Sequence, residues 1–327
     1  AAQRTFANPM KIAHLSDLHL LDLAGVPFTR FLNKRLTGWV NLRLKRGSIH
    51  RAAYVDAIAR EIAAHRFDHV VVTGDLTNLA LEPELERVRS LLGQTLAMAP
   101  ADVTVVPGNH DLYTRGALST RRFEGFLQAW LQSDLPELSV DVSGARFPVV
   151  KLRGRAAFIG LSSAVPRLPL VAAGELGEPQ LRALAGVLAH PEVKSRFPVI
   201  ALHHPPVHPW SRAKAHLEGL RDAPGLLGLL ATLPRGLVLH GHLHRRIQRQ
   251  LTTPAGKIRQ VGATSASLHH ADGDRMAGFN VYDLRDDGTL HVDARVYVPE
   301  EATFRQTGVP KHVGWRGDQL AATAPPF

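Results

Sequence analysis

The sequence predicts an α/β protein built as a four-layer αββα sandwich, in which two mixed β-sheets are flanked by helices. Over about the first 240 residues, short apolar runs alternate with segments of helical periodicity. Continuous apolar runs of this length are typical of strands that are buried on both faces. Beyond about residue 245 the pattern changes to short strands separated by turns. Alternating strands and helices followed by strands favour two packed sheets with helices outside.

The first half of the chain supplies three strands and three helices of this pattern. We predict strands at Lys11–Ser16, Asp68–Thr73 and Val103–Val106, and helices at Tyr54–His65, Pro83–Met98 and Leu118–Leu131. The second of these helices carries proline in its first turn, where the missing amide hydrogen costs no hydrogen bond.

The second half continues the pattern with more strands. We predict a hairpin of Phe147–Leu152 and Ala156–Leu161, a helix at Pro179–His190, strands at Pro198–Leu202 and Gly236–His240 with a loop or helix over 210–233 between them, and further strands at 246–251, 257–262, 278–284 and 289–298. No linker or internal repeat separates these elements. We therefore expect one domain over residues 10–300 and an irregular tail over 301–327.

Composition limits the function classes. The 327 residues include no cysteine, which excludes disulfides and thiolate metal sites. The formal charge of +10 favours an anionic partner such as a phosphorylated small molecule, a nucleic acid or an acidic lipid surface. No run of about 18 apolar residues predicts a membrane-spanning helix, and the first nine residues lack the apolar stretch of a secretory signal. We expect a cytoplasmic protein, with the inner face of the membrane as an alternative location.

Five polar blocks follow the predicted strands. They are Ser16-Asp17-Leu18-His19, Gly74-Asp75-Leu76-Thr77-Asn78, Gly108-Asn109-His110-Asp111, His203-His204-Pro205-Pro206 and Gly241-His242-Leu243-His244. Each block alone is an ordinary turn. Together they place carboxylates, an amide and imidazoles at the carboxyl ends of strands, which is the edge where open α/β sheets form their sites. Oxygen and nitrogen ligands of this kind favour a metal centre.

In this order, the blocks resemble those of the metallophosphoesterase, or calcineurin-like phosphoesterase, superfamily. Their Gly-Asn-His-Asp and His-His-Pro-Pro forms are most similar to class III cyclic nucleotide phosphodiesterases. The resemblance covers about residues 11–245 and implies a dinuclear, metal-dependent phosphoric ester hydrolase. It also implies hydrolysis of phosphodiester bonds, of cyclic nucleotides or other small phosphodiesters, by a metal-bridging hydroxide.

The same resemblance implies a role for each polar residue. Asp17, His19 and His244 would hold the first metal ion, Asn109, His203 and His242 the second, and Asp75 would bridge the two, since both oxygens of a carboxylate can bind a metal. His110 would stabilise the phosphoryl group or protonate the leaving oxygen, and Asp111 would orient His110 and keep it protonated. We expect His203 rather than His204 to be the ligand, because His203 lies two residues before Pro205.

The metal ions implied are two divalent or mixed-valence transition ions, with manganese or iron first and zinc, cobalt or nickel as alternatives. The substrate-binding residues are not identified by any motif. Alternative functions are a membrane-associated hydrolase of a lipid-linked pyrophosphate such as UDP-diacylglucosamine, and a DNA or RNA nuclease. In the pyrophosphohydrolases, however, the third block usually carries arginine where this chain has His110. A scaffold that keeps its metals only for structure is a further alternative.

A basic amphipathic insertion is predicted over residues 23–50. Residues 23–55 contain seven arginine and lysine residues, which are Arg30, Lys34, Arg35, Arg43, Lys45, Arg46 and Arg51, and no acidic residue. With a start at Pro27, its apolar residues fall on one face at helical spacing. The segment either packs its apolar face on the domain, contacts a membrane through residues 27–46, or binds nucleic acid.

Overall fold

A computed structural model of the chain describes residues 8–27, 30, 50–112, 114–142, 144–168, 171–207, 212–312 and 320. The strands are β1 (Met10–Leu15), β2 (His69–Thr73), β3 (Val103–Val106), β4 (Val140–Val142), β5 (Ala145–Phe147), β6 (Val149–Arg153), β7 (Ala156–Gly160), β8 (Phe197–Ala201), β9 (Arg235–His240), β10 (Ile247–Thr253), β11 (Gly256–Gly262), β12 (Gly278–Leu284), β13 (Leu290–Val298) and β14 (Thr303–Gly308). The α-helices are α1 (Ala52–Ala64), α2 (Glu82–Ser90), α3 (Arg115–Ser119), α4 (Arg122–Leu127), α5 (Glu178–Ala189), α6 (Pro191–Lys194), α7 (Arg212–Glu218) and α8 (Ala223–Leu230).

Two six-stranded mixed sheets form the centre of the molecule. The first has the strand order β14-β13-β12-β1-β2-β3, and the second has the order β10-β11-β9-β8-β7-β6. Strands β1, β2 and β3 are parallel neighbours, as are β7, β8, β9 and β11. The remaining pairs in the two sheets are antiparallel. The predicted αββα class is confirmed, including the β6–β7 hairpin.

Alternation along the central strands divides the core into two layers. In β9, Leu237 and Leu239 join the large apolar cluster that also contains Ile12 of β1. Val238, between them, faces the other way and joins the cluster formed with Leu184 of α5 and other helix residues. Side chains in a strand point alternately to opposite faces, so one strand contributes to both layers. Each fully buried leucine contributes about 1.5–3 kcal/mol.

Two predicted helices differ in detail from the structure. The helix expected at Pro83–Met98 is α2 followed by a π-helical turn at Leu91–Thr95. The helix expected at Leu118–Leu131 is divided into α3, α4 and a 3₁₀ turn, because Arg121 between α3 and α4 adopts φ of 49°. A left-handed residue cannot continue a right-handed helix, so the chain turns there.

The expectation of an irregular tail from about Glu300 is wrong for β14. This strand pairs with β13 at the edge of the first sheet. Only Phe304 has an apolar contact that the sequence could signal, since its ring lies 5.2 Å from that of Tyr297. The other β14 side chains are exposed, and backbone hydrogen bonds to β13 define the strand.

The predicted basic insertion lies largely outside the described residues, which omit 28–29 and 31–49. Within it, Arg30 forms an ion pair of 2.8 Å with Glu82 at the start of α2. The hypothesis of membrane contact through residues 27–46 therefore stays a prediction. Across the part of the chain that the structure describes, we find no helix with the length and apolar character needed to cross a membrane.

Candidate metal centre

The five polar blocks meet where the carboxyl ends of both sheets come together. Five of their residues have left-handed backbone angles: Asp17, His19, Asp75, His242 and His244, with φ of 53°, 46°, 50°, 68° and 48°. This conformation is uncommon outside glycine and costs about 1–3 kcal/mol for each residue. Strain of this kind collects at functional sites, where the surrounding structure enforces it. The turns after β1, β2 and β9 therefore hold these side chains in fixed directions.

The first cluster is formed by Asp17, His19 and His244. Oδ1 of Asp17 lies 3.0 Å from Nε2 of His244 and 4.0 Å from Nε2 of His19. The two imidazole nitrogens are 3.2 Å apart. Asp17 and His19 are almost fully buried. Burial holds the pKa of His19 well below its ordinary value, so this ring is neutral and offers a lone pair.

The second cluster is formed by Asn109, His203 and His242. Nε2 of His203 lies 3.2 Å from Oδ1 of Asn109 and 3.3 Å from Nδ1 of His242. Burial lowers the pKa of His242 to about 3. Nδ1 of His203 donates to the carbonyl oxygen of Thr73 over 2.7 Å, which directs Nε2 at the cluster. A backbone partner on the far nitrogen is the usual arrangement of a metal-binding histidine.

Asp75 lies between the two clusters. Its Oδ2 is 3.4 Å from Nε2 of His203 and 3.9 Å from Nε2 of His19. Its Oδ1 accepts a hydrogen bond of 2.8 Å from the backbone amide of His110. Oδ2 therefore faces ring nitrogens of both clusters, and Oδ1 is held by the backbone of the third block. The carboxylate raises the pKa of His203 to about 9 against the effect of burial, so positive charge is attracted to this point.

Close backbone approach explains two glycines of the motifs. A Cβ at position 241 would lie 1.9 Å from Oγ of Ser16, and a Cβ at position 108 would lie 2.2 Å from Oδ1 of Asp75. Distances this short are far below van der Waals contact. Glycine is required at both positions because the turns after β3 and β9 pass directly beside the carboxylates.

The donor set fits two metal ions. Carboxylate, amide and imidazole groups converge, and one carboxylate oxygen is shared between the clusters. Oδ1 of Asp17 is buried, and although Nε2 of His244 lies 3.0 Å away, its geometry does not make a hydrogen bond, nor does that of any other described donor. A buried carboxylate oxygen without a donor is costly unless a cation balances it. Oxygen and nitrogen ligands of this kind suit divalent transition metals.

His204 has hydrogen-bond partners outside the clusters, although one of its ring nitrogens lies within 4.8 Å of ligand nitrogens of His203 and His242. Its Nε2 donates to the carbonyl oxygen of Ala172 over 2.8 Å, and its Nδ1 lies 2.8 Å from Oγ of Ser163. Both nitrogens therefore have partners outside the site. His203, whose Nε2 faces the second cluster, is the geometrically suited ligand of the two.

The expected pairing of Asp111 with His110 is wrong. Nδ1 of His110 donates to the carbonyl oxygen of Asn78 over 2.8 Å. The oxygens of Asp111 accept instead from the backbone amides of Gly108, Leu76 and Thr77 at 2.9–3.1 Å. Adjacent residues in this turn point in different directions, so Asp111 ties the second block to the third. Burial raises the pKa of Asp111 to about 7.

His50 also lies at this site, although no sequence motif indicates it. Its ring centroid lies 4.8 Å from that of His19 and 5.8 Å from that of His244. One of its ring nitrogens lies within 4.8 Å of ligand nitrogens on both rings. His50 belongs to no recognisable motif. The sequence signal is its position two residues before α1, where the predicted insertion rejoins the domain.

Comparison with known proteins supports a shared ancestry and fold. The family model of calcineurin-like phosphoesterases matches residues 10–246. A probable cyclic nucleotide phosphodiesterase of Rhodococcus erythropolis is 27% identical over 240 residues, which are 71% of this chain and 64% of that protein. A protein of the same description from a Synechococcus strain is 32% identical over 126 residues, which are 36% of this chain and 47% of that protein. The matched region thus spans less than two thirds of either relative.

Two solved structures share the fold at low sequence identity. A dimetal phosphatase from Danio rerio superposes with a TM-score of 0.56 at 16% identity, covering 93% of this chain and 100% of the other. A purple acid phosphatase from yellow lupin superposes with a TM-score of 0.53 at 12% identity, covering 97% of this chain and 57% of the other. Since the family model matches more than half of the sequence and these neighbours share its architecture, the chain belongs to the calcineurin-like phosphoesterase family.

Proposed function

We propose that the protein is a metal-dependent hydrolase of phosphodiester bonds in small anionic molecules. The observation that carries the proposal is the position of Asp75, whose Oδ2 lies within 4 Å of ring nitrogens from both ligand clusters. A shared carboxylate oxygen with imidazole and amide ligands on either side is the arrangement needed to hold two metal ions close together.

The proposed ligands follow from the two clusters. The first ion would be held by Asp17, His19 and His244, the second by Asn109, His203 and His242, and Asp75 would bridge them. Two ions bound in this way would activate the attacking water and neutralise charge on the phosphoryl oxygens. Manganese and iron are the first candidates, and zinc, cobalt and nickel are compatible with the same donors.

His110 is proposed to protonate the oxygen of the leaving group. Its Nδ1–H is directed to the carbonyl oxygen of Asn78, so proton exchange with a substrate falls to Nε2. Its backbone amide holds Oδ1 of Asp75 at 2.8 Å, which places the ring beside the first cluster. The centroids of His110 and His19 are 5.0 Å apart. A protonated Nε2 at this position could donate to the departing oxygen while the phosphoryl group is bound beside it.

Cyclic nucleotides are the first substrates to test, because two curated relatives are named as probable cyclic nucleotide phosphodiesterases. The net charge of +10 is compatible with any anionic phosphodiester. In the described residues, nothing specifically favours a lipid-linked pyrophosphate or a nucleic acid over a small diester. Those substrates are therefore the comparison arms of the experiment.

The test is hydrolysis of bis-p-nitrophenyl phosphate against p-nitrophenyl phosphate, with added Mn²⁺ and after chelation. We expect metal-dependent turnover of the diester, followed by turnover of 3′,5′-cyclic nucleotides. Absence of turnover on all phosphodiesters by protein that binds two metal ions would refute the proposal and direct attention to the lipid-linked pyrophosphate.

Two variants separate the proposed roles. Asn109→Ala should abolish turnover and reduce the metal content, because it removes a ligand of the second ion. His110→Ala should lower turnover by about 100-fold or more while both ions are retained, since general acid catalysis typically contributes that much. Metal content by plasma mass spectrometry distinguishes the two. Full activity of His110→Ala would refute its role.

A further inference from the structure

His50 is fixed against the wall of the metal centre by backbone contacts. It pairs with Leu268 as an isolated antiparallel bridge. The next residue, Arg51, donates its amide to the carbonyl oxygen of Ser267 over 2.8 Å, and α1 begins directly after it. Backbone contacts at His50 and at Arg51 therefore fix the position of His50. The position of His50 is set by the segment that follows β11.

A row of hydroxyl groups connects the His50 ring to the first cluster. Nδ1 of His50 lies 2.7 Å from Oγ of Ser267. Oγ of Ser267 lies 3.2 Å from Oγ of Ser265, which donates to the carbonyl oxygen of Asp17 over 2.6 Å. Both serines are buried. Ser267 thus orients the ring through Nδ1, and one ring nitrogen of His50 lies within 4.8 Å of ligand nitrogens of His19 and His244.

The His50 ring resembles His110 in its placement. Both rings pack edge-on against His19, with centroids 4.8 Å and 5.0 Å away, and both have Nδ1 engaged by a neighbouring group. The residue His50 is only partly buried. Two imidazoles thus flank the same proposed ligand.

We propose that His50 binds a phosphoryl oxygen of the substrate beside the first cluster, as a second imidazole in addition to His110. This inference rests on the proposed function, and the ligand class is a phosphate diester or its phosphate product. The first ion already has four proposed protein ligands in Asp17, His19, Asp75 and His244. A fifth would occupy a position that water and substrate need, since a catalytic metal site keeps an open position. A donor facing the phosphoryl oxygens stabilises the charge that develops there.

The decisive variants are His50→Ala, His50→Gln and Ser267→Ala, each loaded with Mn²⁺. We expect all three to retain two metal ions. His50→Ala should lower kcat/KM for bis-p-nitrophenyl phosphate by roughly 100-fold, as removal of one oxyanion donor does elsewhere. It should also weaken binding of inorganic phosphate measured by titration calorimetry. His50→Gln keeps a donor and should recover part of the loss, and Ser267→Ala should give a smaller loss because the ring remains but is less well oriented.

His65→Ala is the matched control, because His65 is an exposed histidine at the end of α1, remote from the clusters. It should leave every readout unchanged. A fall to one metal ion in His50→Ala would identify His50 as a ligand and overturn the proposal, as would unchanged phosphate binding and turnover. If the wild type hydrolyses no phosphoester, the proposed function fails. The calorimetric comparison of wild type with His50→Ala then still decides whether His50 binds phosphate.

Discussion

The substitution Asp111→Asn tests what this buried carboxylate does. Oδ1 accepts from the amide and hydroxyl of Thr77 at 2.9 and 3.0 Å, and Oδ2 accepts from the amides of Gly108 and Leu76 at 2.9 and 3.1 Å. Asparagine has one oxygen for these four donors. In the more favourable of the two orientations of the asparagine amide, the NH₂ group faces Thr77, whose hydroxyl can rotate to accept a hydrogen bond from it. One buried backbone amide then stays unsatisfied, at a cost of about 1–3 kcal/mol.

This substitution also separates a structural role from a catalytic one. The amides of Leu76 and Gly108 stay bound in the better orientation, so we expect the metal content and the pH–rate profile to be retained. Urea unfolding should show the loss of stability. Asp222→Asn is the control, because its carboxylate also accepts backbone amides, those of Leu176 and Gly177, away from the clusters. Unchanged stability together with a displaced acid limb in the rate profile would refute the reasoning and assign Asp111 to proton control.

Three further outcomes are expected. Gly108→Ala places a Cβ 2.2 Å from Oδ1 of Asp75, so it should lower turnover by about 100-fold through displacement of the bridge. The control Gly125→Ala should leave turnover unchanged, because no atom lies within 4 Å of its new Cβ. A fully active Gly108→Ala would contradict the role of Asp75 as the bridge. Burial raises the pKa of Glu84 from 4.5 to about 8. The folded state therefore binds more protons than the unfolded state between these values, and stability falls as pH rises, by up to about 1.4 kcal/mol per unit. Glu84→Gln should flatten that slope in urea unfolding measured across pH 5–8, and an unchanged slope would exclude Glu84 as its source. Chelation of the metal ions should abolish turnover and lower the Tm, and a chelated protein with an unchanged Tm would show that the ions do not stabilise the fold.

The central strands could be predicted from sequence because strands that are buried on both faces consist mainly of apolar residues. Val103–Val106 is a fully buried run of three valines and Thr104, and β3 has those bounds. Its neighbours β1 and β2 were predicted to within one residue at each end for the same reason. The edge strand β14 has exposed side chains, so its backbone pairing with β13 leaves almost no pattern. The break between the two helices at Arg121 has no sequence signal either, since arginine is an ordinary helix residue and its left-handed backbone angle arises from tertiary context.

The candidate ligands were accessible from sequence for a related reason, and the other site residues were not. Parallel strands bring their carboxyl ends to one edge of a sheet. Polar blocks at the ends of such strands therefore meet there, independently of the rest of the chain. The side-chain direction of Asp111 and the position of His50 are not determined in this way. Asp111 follows His110 directly, yet adjacency along the chain says nothing about side-chain direction in a turn, and its oxygens serve the backbone of the preceding block. His50 reaches the site through Ser267, 217 residues later in the chain, and no local pattern encodes a contact between such distant segments. Residues that complete a metal centre from outside its motifs must therefore be found in the folded structure.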